Sequence, residues 1–198
     1  MIITRRRILG AALLVPLEGL AQTCGVVTAS QTEGPFFTPN SPLRTSLVEA
    51  GSKAQRFVVS GRVLSPQCQP LANALVDVWH ADEEGEYDNR GYRYRGHQFT
   101  DSEGRYHFES IVPALYPGRA RHYHLKIQPK GGRILTTQLY FPGEELNDID
   151  PILNGIEDLD ARASLIARPL PDEPDGTRAF GFDIVLRGSG ETPFFVDP

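Results

Sequence analysis

The chain has 198 residues, 40% of them hydrophobic, with 20 lysines and arginines against 25 aspartates and glutamates, for a formal charge of -5. That length suits a single globular domain able to bury a sizeable core, and the acidic balance leaves no broad basic surface, so nucleic acid is not an expected partner. With 19 glycines and 16 prolines, and few amphipathic runs of helical length, the composition points to β structure with many turns.

Residues 1–23 read as an export signal rather than as part of the fold. Arg5-Arg6-Arg7 precede an apolar stretch, Ile8 to Leu20, which is too short to span a bilayer comfortably and ends near Ala21-Gln22. The twin arginine points to the route that exports folded proteins, and hence to a periplasmic or extracellular protein with no stable membrane span once the signal is removed. An ordinary secretory signal or an uncleaved anchor would also take the chain out of the cytosol. Residues 24–49 read as an extended arm rich in Pro, Thr and Gly, including Gln31-Thr-Glu-Gly-Pro-Phe-Phe37. An exported chain with two cysteines, Cys24 and Cys68, points to one disulfide joining this arm to the start of the sandwich. The competing reading is a pair of unbridged buried thiols.

Residues 50–198 read as one domain. Arg56 to Val63 and Ala74 to Trp79 are strand candidates, the second a more continuous apolar run. Arg105 to Ile111 follows the turn Asp101-Ser-Glu-Gly104. From His122 to Gln128 the alternation is clear, with His122, His124, Lys126 and Gln128 on one face and Tyr123, Leu125 and Ile127 on the other. Thr136 to Phe141 and Phe180 to Leu186 complete at least six strands. Asp148 to Ala167 has apolar residues at helical spacing, with Pro151 near its start. Short strands between turn signals predict an all-β fold, an antiparallel β-sandwich with one short helix and long loops.

Two tyrosines and two histidines in this order suit ferric iron. Strand alternation lets His122 and His124 face one point; paired imidazoles suit a transition metal, and phenolate oxygen is a hard ligand that favours ferric iron over zinc or copper. Tyr116 lies between Pro113 and Pro117, in a rigid turn entering the strand. Arg119 and Arg121 read as counter-charges to an anionic ligand. The plain alternative is two histidines on a half-buried strand.

Three pieces in order resemble the intradiol ring-cleaving dioxygenases, the family that acts on catechol and protocatechuate. They are Val76-Asp-Val-Trp79 with Gly85-Glu-Tyr87; Arg95-Gly96 with Phe99-Thr-Asp-Ser-Glu-Gly-Arg-Tyr-His-Phe108; and Tyr116-Pro-Gly-Arg119 leading to His122-Tyr-His124. The resemblance extends from Thr32-Glu-Gly-Pro-Phe-Phe37 to Thr137-Gln-Leu-Tyr-Phe-Pro142. It implies Tyr87, Tyr116, His122 and His124 as ligands of Fe(III), Arg119 beside the bound substrate and Gln138 behind it. Tyr92 and Tyr94 are rivals for the first tyrosine but lack the Gly-x-Tyr context, and pack at the rim instead. His80, His97 and His107 fall outside the matched positions and read as surface or structural.

The implied reaction takes a small aromatic diol and dioxygen to a muconate-type diacid, with Tyr116 yielding its place to substrate and accepting a proton while Arg119 stabilises the anionic ring. The chain departs from the cytoplasmic catechol enzymes by lacking their long helical N-terminal region, by its short segment between Tyr116 and His122, and by its export signal and cysteine pair. It therefore resembles a small exported branch, whose substrate cannot be inherited and whose oligomeric state, a homodimer included, stays open. Two alternatives carry less of the pattern: a non-catalytic exported β-sandwich serving as a binding or carrier module, and a hydrolase or copper protein using His122 and His124.

Overall fold

The computed structural model of the protein describes residues 24–187, so the expected export signal, residues 1–23, lies outside the described residues. The strands are β1 (Arg56–Leu64), β2 (Leu75–Trp79), β3 (Arg95–Phe99), β4 (Arg105–Ile111), β5 (His122–Gln128), β6 (Leu135–Tyr140), β7 (Arg168–Leu170), β8 (Arg178–Gly181) and β9 (Ile184–Val185). They form two sheets, one in the order β4-β1-β8-β7 with β9 also on β1, the other β3-β2-β5-β6. The sandwich is as expected, but it is not wholly antiparallel: β8 and β9 run parallel to β1.

Alternation builds the core. Phe57, Val59, Val63, Tyr106, Phe108 and Phe180 face inward from the first sheet, and Val76, Val78, Tyr123, Leu125, Ile127, Leu135 and Leu139 from the second. Gly61 marks where the first sheet is tightest, since a Cβ there would lie 1.9 Å from the carbonyl oxygen of Phe182.

The single helix expected over 148–167 is broken in two, α1 (Pro151–Asn154) and α2 (Leu159–Ser164), after a 3-10 turn at Glu145–Asp148. The cause is local. Asp150 and Asp158 each accept hydrogen bonds from two backbone N–H groups and so start separate helices, the first with Pro151 in its opening turn. Ile149 and Leu159, counted in the helical stripe, are 72% and 70% exposed. Among the described residues no helix is long and apolar enough to cross a membrane.

The arm wraps the outer face of the second sheet from edge to edge. Gln31 N–H donates to Thr136 O on β6 at 2.9 Å, and Arg44 N–H to His97 O on β3 at 3.0 Å. It then closes against β4, where Leu47 N–H meets Glu109 O at 2.8 Å and the Leu47 side chain is fully buried. Polar contacts fasten it midway: Ser41 Oγ donates to Asp77 Oδ1 at 2.8 Å, and Lys126 pairs with Glu33 while lying over the Phe37 ring. Cys24 is tied by its N–H to Pro66 O, and its thiol hydrogen-bonds with that of Cys68; burial and that contact push Cys24 up to about 11. The two side chains lie in contact.

Candidate metal centre

The face of β5 turned away from the core carries His122 and His124. Register sets their neighbours: Trp79 and Gln138 flank His124, and Tyr140 lies opposite His122. Tyr87 comes from the β2–β3 loop, aimed by a turn in which Asp82 Oδ1 accepts from the N–H groups of Glu84 and Glu86. Gly85 at the turn has φ +86°, and a Cβ there would lie 2.6 Å from Leu115 O. The loop bearing Tyr116 is joined to this turn by Ala114 N–H donating to Asp82 O at 2.9 Å.

Three of the four expected ligands converge. Tyr87 Oη lies 3.2 Å from His122 Nε2 and 3.1 Å from His124 Nε2, and the two Nε2 atoms are 3.2 Å apart. His122 Nδ1 is 2.7 Å from the Ala120 carbonyl and must donate to it, so its Nε2 presents a lone pair to the cluster. Such separations suit neighbouring donors around a metal bound at about 2.0–2.2 Å. Among the described residues no group of three His, Cys, Asp or Glu side chains is placed to hold a metal, so a centre here depends on phenol oxygen.

Tyr116 joins through its ring, 5.8 Å from that of Tyr87. The arm supplies the walls: Phe36 stacks on Tyr87 at 4.5 Å and meets Tyr116 edge-on, and Phe37 packs on Trp79, which stacks on His124.

Burial decides the protonation states. It lowers His122 to about 4, with help from the Arg119 charge, drives His124 well below its ordinary value, and raises the Tyr87 phenol well above its own. The cluster is therefore neutral by itself, with two imidazoles in their ligand form and a phenol that only a nearby positive charge would ionise.

Arg119 and Gln138 meet, Arg119 Nη2 donating to Gln138 Oε1 at 2.7 Å and to Tyr140 Oη at 3.0 Å. Gln138 is held in turn by donating to Thr32 O on the arm. Arg121 is corrected: it pairs with Glu144 and donates to Pro113 O, because a residue one before His122 faces away from the site. Tyr92 and Tyr94 donate to Pro39 O and Glu83 and do not reach the cluster. His80 is a buried structural residue, bonded to Ala81 O and Ser110 Oγ, and His97 contacts Ser41.

Sequence reasoning missed Tyr140 and Asp150. Tyr140 could have been found, since it shares a strand face with Gln138. Asp150 precedes Pro151 in a helix-start pattern that carried no sign of its contact with Arg119, 2.8 Å from Asp150 Oδ2.

A family model described as Dioxygenase matches residues 32–188. The chain is 35% identical to the protocatechuate 3,4-dioxygenase beta chain of Burkholderia cepacia, over 91% of this chain and 84% of that one. Among solved structures it resembles the dioxygenase domain of a dioxygenase and carbohydrate-binding protein fusion from Streptomyces sp. SirexAA-E, with 43% identity and a TM-score of 0.74 over 83% of this chain and 100% of that domain. It also resembles 3-chlorocatechol 1,2-dioxygenase from Rhodococcus opacus 1CP, with 27% identity and a TM-score of 0.70 over 82% of this chain and 73% of that one.

Proposed function

Because the chain belongs to the intradiol ring-cleaving dioxygenase family, we propose that it uses ferric iron and dioxygen to open catechol-type diols between the two hydroxylated carbons, giving muconate-type diacids. The observation that carries this reading is the meeting of Tyr87 Oη with the Nε2 atoms of His122 and His124 at 3.1–3.2 Å, beside a second tyrosine ring. Tyr87, Tyr116, His122 and His124 would hold the iron, which when bound supplies a Lewis acid for the two diol oxygens and for the oxygen chemistry.

The chain's own residues do the rest. Tyr116 is the less buried phenol, and none of the described hydrogen bonds holds its hydroxyl, so it is the tyrosine able to swing aside and accept a proton from the diol. His122 is kept in one tautomer by the Ala120 carbonyl. Phe36, Phe37 and Trp79 exclude water on the side of the arm. Arg119 brings positive charge to the anionic ring, and Gln138, braced by Thr32 O, keeps it there. The relatives named for protocatechuate and 3-chlorocatechol support a catechol-type ring. The segment around Arg5-Arg6-Arg7 supports export, and the contact between Cys24 and Cys68 supports a bridge formed after it.

Metal analysis and a visible spectrum, before and after anaerobic addition of catechol, test the proposal, with product identified after admitting air. The expected results are iron at one per chain, a broad tyrosinate band that shifts with the diol, and a ring-opened diacid. A colourless protein with no iron, or no ring opening of catechol, protocatechuate or 3-chlorocatechol, would overturn it.

A further inference from the structure

Asp150 is buried to 1% exposure, and its two carboxylate oxygens serve different parts of the molecule. Oδ1 accepts from the N–H groups of Ile152 and Leu153, both at 2.9 Å, and starts α1. Oδ2 accepts from Arg119 Nε and from Ala120 N–H, both at 2.8 Å. The guanidinium is a rigid plane. With Nε held by Asp150 and Nη2 by Gln138 and Tyr140, its orientation is set at both ends. Nη1 takes part in none of the described hydrogen bonds and is the donor left for a ligand.

We propose that Asp150 is the positioning residue for Arg119: α1 presents the carboxylate that aims the guanidinium at the substrate. This rests on the reading of Arg119 as the group that stabilises the anionic diol. Without the Oδ2 contact, Arg119 keeps its charge but not its direction. The partly buried guanidinium, 14% exposed, would then lack its only carboxylate partner among the described ion pairs.

The test uses the iron-loaded protein and catechol. Asp150→Asn and Asp150→Ser both retain an oxygen able to start α1, so each removes the Arg119 contact while sparing the helix. Both are expected to keep iron and colour and to lose at least about tenfold in kcat, as losses of outer-sphere partners do. Added to Arg119→Leu, they should cost nothing further. Asn154→Ala, which removes side-chain hydrogen bonds to Asn147 O and Asp150 O, should lower Tm without lowering kcat.

Wild-type turnover in the Asp150 variants, or losses that multiply with that of Arg119→Leu, would overturn the inference. Unchanged turnover in Arg119→Leu itself would instead overturn the reading of Arg119. A crystal structure of the Asp150→Ser protein gives a readout independent of turnover. A guanidinium displaced from Gln138 supports the proposal, and one left in place sinks it. Should neither Asp150 variant fold, Arg119→Lys decides the matter: it keeps the charge without the two-ended hold, so it should fail nearly as badly as Arg119→Leu, and full activity would refute the proposal.

Discussion

Tyr87 is the residue on which the proposed iron chemistry depends most. Tyr87→Phe removes its only oxygen donor while preserving the stack on Phe36, so most iron and the visible band should be lost with the fold intact. Tyr92 and Tyr94 are bonded elsewhere, and a Tyr87→Phe protein with full iron would remove Tyr87 from the ligand set. Arg119→Leu should behave differently, retaining iron while turnover falls about a hundredfold, the scale of losing one preorganised electrostatic donor. Equal loss of iron would make Arg119 structural. His80 gives a prediction about pH. Burial lowers it from 6.5 to about 3, so below about pH 6.5 the unfolded chain takes up a proton that the folded one refuses. Stability should therefore fall as pH drops through that window, by up to about 1.4 kcal/mol per pH unit from this residue. His80→Gln, compared with the parent by urea unfolding at about pH 5 and about pH 7, should lose that part of the slope. An identical slope in both would put the neutral, buried state of His80 in error.

Elements were legible where their own side chains announce them. β5 alternates without a break, so its ends and both faces could be read residue by residue, and the two histidines that meet Tyr87 came with it. β3 could not be, because Arg95-Gly-His-Gln-Phe99 has no apolar alternation; its strand state comes from pairing with β2, and its buried arginine is held by the Asp88 carbonyl. The helical stripe over 148–167 misled because exposed leucine and isoleucine mimic a buried face, while the two capping aspartates that divide it look like ordinary surface charge. The arm was seen only as extended chain. Leu47 makes it part of the core, and Leu47→Ala should cost about 2–5 kcal/mol in denaturant unfolding. A cost under about 1 kcal/mol would mean that the arm docks outside the cooperative unit.

For the molecule as a whole, the two cysteines join distant stretches of chain. A bridge between Cys24 and Cys68 would close roughly 43 intervening residues, worth roughly 4 kcal/mol in the chain-entropy model. Intact-mass measurement on exported protein, alkylated with and without reductant, should find no alkylatable thiol until reductant is added; two modified thiols without it would remove the bridge. The parallel pairing of β8 and β9 with β1 has a different consequence, for the order of synthesis. β4 can cover one edge of β1 early, but the other edge waits for residues made about 120 positions later. Through most of translation the nascent chain carries an open strand edge of the kind that invites aggregation. The sheet closes only when Arg178 to Val185 have left the ribosome, and the first strand to be made is among the last to be finished.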